Sequence, residues 1–235
     1  MYKGKKIISI IPARGGSKRI PRKNVIDLCG KPLIAYSIEQ SLQSKYIDET
    51  YVSTEDAEIK EVSLKFGAKI IDRPIKLAQD ESKSIDVMKH ALEYLENNNN
   101  APGIVILLQP TSPLRLVEDV DKAIETFMEK DADTLESLSE CLEHPSYMFK
   151  KGIKYMIPLD KKGLEKTRIE LPQYYVENGS IFILKYLFIK NEKTFYSNKH
   201  TGFILPRERS IDIDNEIDLK IAKLILEKRK KWIIK

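Results

Sequence analysis

The chain alternates short unbroken apolar runs with longer segments of helical spacing. KKIISII, ETYVST, AKIID and GIVILLQ lack the regular alternation of a half-exposed strand and end in turn residues. They predict strands of a sheet covered on both faces. Between them, PLIAYSIEQSL places apolar residues at 33, 34, 38 and 42, and SIDVMKHALEYLE at 85, 88, 92 and 95. Both spacings predict amphipathic helices. Ser84 or Asp86 is positioned to cap the second, which NNNN closes. VEDVDKAIETFMEK predicts a further helix and DTLESLSE a further strand. Strand–helix alternation to about residue 140 predicts an α/β fold on a parallel sheet with right-handed crossovers. From about 144 to 172 the pattern breaks into short β-like pieces rich in Gly, Pro and Lys, which reads as a β-rich arm suited to pairing with another subunit. GSIFILK returns to the core as a strand, and NEIDLKIAKLILEKRKKW predicts a basic C-terminal helix with a solvated face.

Composition adds little except through the distribution of charge. The 235 residues are 42% hydrophobic and 32% charged, as in ordinary soluble proteins. Net charge is +5, but the first 24 residues carry +8 and residues 220–235 carry +6, so the body between them is −9. A nucleic-acid-binding protein would spread positive charge over one continuous face. A local basic loop before an acidic body suits a small polyanion instead. Cys29 and Cys141 lie far apart without a CxxC or a neighbouring His, which predicts reduced thiols and no zinc site. The first apolar run ends at Pro12, too short for a signal-peptide core, and no run approaches spanning length. The expected setting is the cytoplasm, with no membrane partner.

The candidate chemistry begins at IIPARGGSKRIPRKN, residues 10–24. In an open parallel sheet ligands collect at the carboxyl ends of strands, and this loop follows the first strand. Gly15 and Gly16 permit positive φ and close backbone approach, so that N–H groups can point at an anion. Arg14, Lys18 and Lys23 have the reach to span two or three phosphates. The loop is neither GxxxxGK[ST] nor GxGxxG, and a solvated turn is its alternative; Arg19 and Arg22 are read that way. In SIDID, Asp212 and Asp214 lie two apart on an extended segment and share one side. They suit a cation or, alternatively, the N-cap of the helix that follows. Gln109 ends a buried strand, either facing a ligand or closing the loop, and Asp80 reads as a helix cap. His90 reads as structural.

Lined up in order, ARGGSKxIPxKN, VSTED, RPxxLAxDxSxS, LLQPTSPLR, RxxLPxxYxxNGxI and SIDID resemble the acylneuraminate cytidylyltransferases, from residue 7 to about 225. The resemblance implies a three-layer, mostly parallel sheet of the nucleotide-diphospho-sugar transferase (Rossmann-like) type. It further implies one nucleotidyltransferase domain over residues 1–235, with a dimerisation subdomain at about 144–172. The implied reaction is CTP plus a nine-carbon 2-keto sugar acid giving the CMP-sugar and pyrophosphate, with Mg2+ assisting and a homodimer as the working unit. By the same resemblance Arg14, Gly15, Gly16, Ser17, Lys18 and Lys23 hold the phosphates, and Asn24, Arg73, Ser82 and Ser84 hold the nucleoside. Asp212 and Asp214 hold the metal, and Gln109, Arg168, Gln173, Tyr175 and Asn178 bind the sugar. The departure is at Val176, where some family members using N-acetylneuraminate carry an arginine, and at Glu177, where proline is common. The less charged contact points to a more apolar nonulosonate, such as legionaminic or pseudaminic acid. The rival readings are the related cytidylyltransferase for an eight-carbon sugar acid and a noncatalytic nucleotide-sugar-binding module.

Overall fold

The computed structural model describes residues 1–192 and 194–233. In chain order the elements are β1 Ile7–Pro12, a two-residue hairpin of β2 Asp27–Leu28 and β3 Lys31–Pro32, α1 Leu33–Gln43, β4 Glu49–Thr54, α2 Ala57–Lys65, β5 Lys69–Asp72 and α3 Ser84–Asn97. There follow β6 Ile104–Leu108, α4 Val117–Glu129, β7 Thr134–Glu140, the short β8 Phe149–Lys151 and β9 Met156–Pro158, β10 Tyr175–Lys185, α5 Tyr186–Asn191, β11 His200–Ile204 and α6 Glu216–Ile233. Side chains from Lys230 onward, the end of the expected basic helix, lie outside the described residues, as do residues 234 and 235.

Seven strands form one sheet in the order β11-β7-β10-β6-β1-β4-β5. The unbroken apolar runs occupy its centre because both faces are covered. In β1, Ile7 and Ile11 pack with α1, α2 and α4 on one face, while Ile8 and Ile10 pack with α3 and α5 on the other. This is the expected three-layer architecture. A third cluster joins Leu114, Leu28 and Ile213 to Ala222 of α6, anchoring the last helix beside the edge of the sheet where the first loop emerges.

Four features depart from the pattern reading. β10 runs antiparallel to both β6 and β7, so Tyr175 and Val176 at its start lie at the edge where the parallel strands end. A register shift between Glu177 and Phe182, with Gly179 at φ 68°, bends this strand. α2 and β11 escape the reading because their sequences are weakly patterned: α2 buries only Ile59 and Ser63, and every residue of β11 stays partly accessible. Finally, neither Ser84 nor Asp86 caps α3. Lys83 holds the cap position without a side-chain bond, and Ser84 is the first helical residue, leaving its hydroxyl on the rim of the cleft described next.

Candidate active site

From β1 the chain moves outward through β4 to β5, then crosses back to place β6 on the other side of β1. Loops leaving β1 and β6 therefore diverge and open a crevice at the switch point. A cleft of about 260 Å³ lies there, bordered by Pro12 and Arg14 from the first strand end and by Gln109 and Thr111 from the other.

The loop after β1 is held by acids rather than left solvated. Gly15 donates its N–H to Glu55 Oε1 at 2.8 Å, and a Cβ on Gly15 would fall 2.3 Å from the Asp56 carboxylate. Close approach is thus the reason for this glycine. Neither Gly15 nor Gly16 has positive φ; the left-handed residue of the loop is Arg22, at φ 56°. Arg22 is no solvated turn residue: its fork donates to Asp56 at 2.6 and 2.8 Å and also reaches Glu58. Asp56 in turn caps α2 by accepting from Ile59 N at 3.0 Å. The guanidinium holds the Asp56 carboxyl down at about 2, outweighing the opposing loss of hydration. A carboxyl lowered on folding adds stability above its unfolded pKa, and that stability is lost as pH falls from about 4 to about 2. Asp56→Ala should therefore cost about 2 kcal/mol in urea unfolding at pH 7, with the difference from wild type shrinking below pH 4.

The other cations of the loop face the cleft. Arg14 pairs with Asp80 at 2.9 Å, Lys18 pairs with the same carboxylate, and Arg14 also reaches Ala78 O at 3.4 Å. Asp80 is thus not a helix cap but a counter-charge for two exposed or half-buried cations, chiefly Lys18, which lower its carboxyl. Lys23 donates to Ile213 O at 2.8 Å and lies 3.3 Å from Asp214 Oδ1, while Arg19 takes Asp214 Oδ2 at 2.9 Å. A cavity of about 380 Å³ runs between Asp80 and Asp214, walled by Arg14, Ser17, Lys18 and Lys23. Such a channel can accept a chain of phosphates by exchanging internal carboxylates for ligand oxygens.

SIDID is an extended segment rather than a sheet strand, tied to the neighbouring loop by Ile213 N donating to Thr111 O at 2.8 Å. Ile213 is buried between two accessible aspartates, so the alternation holds without a ladder. The capping alternative is resolved by their neighbours. Asn215 Oδ1 accepts from the N–H groups of Ile217 and Asp218, and Asp218 accepts from those of Asp214 and Asn215, all at 2.8–3.1 Å. The carboxylates of Asp212 and Asp214 are therefore not spent on α6. Asp212 is accessible, but neighbouring atoms crowd its carboxylate. Lost hydration pushes its carboxyl up, the Thr111 hydroxyl opposes this, and the Asp214 charge adds to the rise. Asp214 at the wall of a phosphate-sized channel and Asp212 two residues before it are a donor set that suits Mg2+.

At the inner end of the cleft, Asn24 is buried with its amide donating to Arg14 O at 2.9 Å, and its Oδ1 has no hydrogen-bond partner among the described residues. Arg73 is buried beside Ser53, donating to its Oγ at 3.3 Å and to its carbonyl; burial draws its pKa down to about 10. Ser82, which accepts from Gln79 N at 3.1 Å, and Ser84 complete this end. Gln109 commits its carbonyl to Ser37 and to Arg115, each at 3.0 Å, and lines the cleft. Arg115, within LLQPTSPLR, was not singled out by sequence reasoning. It is fully buried and ties Gln109 O to Ser180 O, each at 3.0 Å, and to Ser37 Oγ. Its place inside a long apolar-flanked motif was the only available signal.

The remaining residues expected at the sugar lie apart from this cleft. Arg168 donates to Leu142 O in the arm, and Gln173 and Tyr175 are exposed at the start of β10. Asn178 is engaged throughout, accepting from Ser137 Oγ at 2.6 Å and Ser180 N at 3.2 Å, and donating to Ser139 and Ser210. It stitches β10 to β7 and to the segment leading into SIDID.

Residues 8–231 match a family model described as cytidylyltransferase. The chain is 37% identical over 225 residues to the pseudaminic acid cytidylyltransferase of Campylobacter jejuni subsp. jejuni serotype O:2, covering 94% of this chain and 96% of that protein. It is 36% identical to the CMP-N,N'-diacetyllegionaminic acid synthase of Legionella pneumophila, covering 94% and 97%. It is 34% identical to the N-acylneuraminate cytidylyltransferase of Streptococcus agalactiae serotype V, where 91% of this chain spans 51% of a longer protein. Among solved structures, CMP:2-keto-3-deoxy-manno-octonic acid synthetase complexed with CTP matches with a TM-score of 0.73 at 19% identity, covering 95% of this chain and 99% of that one, which shows a common fold. Matched by one family model from its first strand into its last helix, and by relatives above 30% identity over nearly all its length, the chain belongs to the cytidylyltransferase family.

Proposed function

We propose that the protein transfers CMP from CTP to the anomeric hydroxyl of a nine-carbon 2-keto sugar acid, releasing pyrophosphate. The observation that carries this reading is a crevice with a polar inner end, adjoining a cationic channel whose far wall carries Asp214. The names of the relatives support the nonulosonate class. In this reading Asn24 Oδ1, which has no partner among the described residues, accepts from the cytosine amino group, while Arg73 and Ser84 donate to its acceptors. Ser82 borders the nucleoside. Arg14, Lys18 and Lys23 leave their carboxylates to take the triphosphate, with Gly15, Gly16 and Ser17 shaping the loop. Asp212 and Asp214 would hold Mg2+, which when bound supplies charge neutralisation at the α-phosphate and lowers the pKa of the attacking hydroxyl. The hydroxyl oxygen bonds to the α-phosphorus, the bond to the pyrophosphate oxygen breaks, and the hydroxyl proton leaves to solvent. Gln109 orients the acceptor, and the accessible Val176 favours legionaminic- or pseudaminic-type acids over N-acetylneuraminate. Arg168, Gln173 and Tyr175 act from the arm side, and Asn178 holds that side in register.

A pyrophosphate-release assay crossing four nucleoside triphosphates with eight- and nine-carbon 2-keto sugar acids tests the reading. Release is expected only with CTP, a nine-carbon acid and Mg2+, and it should stop on chelation; preference for the eight-carbon acid, or no release at all, overturns it.

The arm supports a homodimer within one nucleotidyltransferase domain. Ile153, Tyr155, Ile157 and Ile169 are all more than half exposed, a patch that water does not favour. Light scattering should give twice the 27.1 kDa chain mass, and Ile157→Asp with Ile169→Asp should return it to a monomer. Among the described residues no helix is long and apolar enough to cross a membrane, and a CTP-dependent reaction suits the cytoplasm.

A further inference from the structure

A cluster of titratable side chains on the α3/α5 face of the sheet takes no part in the nucleotide cleft. Glu136 of β7 stands in register with Phe182 of β10 and Gly202 of β11, and is 8% exposed. His200, at the start of β11, places Nε2 3.4 Å from Glu136 Oε1 and Nδ1 2.8 Å from Thr134 Oγ1. The Tyr196 ring lies 5.5 Å from that of His200, and its hydroxyl donates to Glu177 Oε2 at 3.0 Å. Glu177 is paired with Leu138, the next residue of β7 on the same face as Glu136. Burial, followed by the charge of Glu177, pushes the Glu136 carboxyl up. The second carboxylate oxygen, Glu136 Oε2, is buried and makes no hydrogen bond among the described residues, although the Tyr196 hydroxyl, bound to Glu177, also acts on this carboxylate.

A buried carboxylate oxygen left unpaired is costly unless a donor reaches it. The fold says where such a donor comes from. Phe182 pairs with Leu107 of β6 on its other side, and Gln109 lies two residues beyond Leu107 on that face. Glu136 lies two strand spacings across and two residues back from Gln109, about 12 Å in all, comparable to the length of a nine-carbon sugar acid. The electrostatics fix the orientation of such a ligand. Glu136 and Glu177 repel the acid's own carboxylate, which turns it away from them, and suit neutral donors. We propose, on the reading that the acceptor is a 2-keto sugar acid, that Glu136 is a specificity-determining residue. Oriented by His200 and flanked by Glu177 and Tyr196, it accepts a hydrogen bond from a hydroxyl or acylamino N–H on the part of the sugar distal to its anomeric carbon.

Glu136→Gln preserves the shape and replaces one acceptor with a donor. With saturating CTP and Mg2+, pyrophosphate release is measured against pseudaminic, N,N'-diacetyllegionaminic and N-acetylneuraminic acids. The KM for the acid that the wild type prefers should rise about 10- to 100-fold, with an altered ratio among the three acids. The KM for CTP and the melting temperature should stay unchanged. Unaltered sugar KM and selectivity overturn the proposal, as does a parallel loss of CTP affinity and stability, which would mark a structural residue. If Glu136→Gln does not fold, Glu177→Gln and Tyr196→Phe at the accessible rim decide: a rise of a few-fold in sugar KM supports the assignment and no change refutes it. Wild-type protein that turns over none of the three acids refutes the sugar-acid reading itself, and this assignment falls with it. A wild type active on any of them, with the variants unaffected, refutes only the role of Glu136.

Discussion

Asp212→Asn will reduce pyrophosphate release by on the order of 10²–10³-fold while leaving the melting temperature and CTP binding near wild type. The physical basis is the division of labour at the start of α6. Asn215 and Asp218 satisfy the first N–H groups of the helix, so Asp212 has no capping duty whose loss would unfold the segment. Its carboxylate loses hydration and feels the charge of Asp214, a cost that the Thr111 hydroxyl only partly offsets. Removing the charge should make the unliganded protein no less stable. Asp214→Asn should act in the same direction but also release Arg19 and Lys23, whose ion pairs it provides, so its effect on KM for CTP should be larger. A single-turnover assay with denaturation curves on the same samples separates the two. Full activity in Asp212→Asn would remove the metal assignment from these residues.

Arg115→Met should produce the largest loss of stability, about 4 kcal/mol in urea unfolding, a large share of the 5–15 kcal/mol of a typical domain. Arg115 is 1% exposed, and burial draws its pKa down to about 9, yet it stays charged at neutral pH. It persists because its fork satisfies the carbonyls of Gln109 and Ser180 and the hydroxyl of Ser37 where β6 meets the start of the apolar half of β10. Met fills much of the volume but takes one donor from each carbonyl, leaving Gln109 O only the Ser37 hydroxyl and Ser180 O only the Gln109 N–H at 3.3 Å. Arg115→Lys keeps the charge without the planar fork and should fall between the two. Because the same contacts hold the Gln109 backbone, any folded Arg115 variant should also show a raised KM for the sugar acid; a stable variant with wild-type kinetics would contradict the positioning role.

These expectations draw on two kinds of information. The strands β1, β4, β5 and β6, and the helices α1, α3 and α4, were legible because burial on both faces or on one stripe leaves its period in consecutive residues. The motif blocks likewise carried the family, since each block lies within one local segment. The sequence by itself also determined that Asp212 and Asp214 share a side, because alternation in an extended backbone is local.

What only the tertiary structure decided is which charges neutralise which. Arg22 meets Asp56 across 34 positions, Arg14 and Lys18 meet Asp80 across more than 60, and Arg19 meets Asp214 across 195. Sequence reading left Arg22 as a solvated turn and Asp80 as a cap, because no periodicity encodes a partner in another loop. The antiparallel insertion of β10, the commitment of Asn178 to the sheet, and the meeting of Glu136 with His200 have the same origin. A strand's neighbours are chosen by the whole sheet, and a polar side chain's role follows from what those neighbours leave unsatisfied.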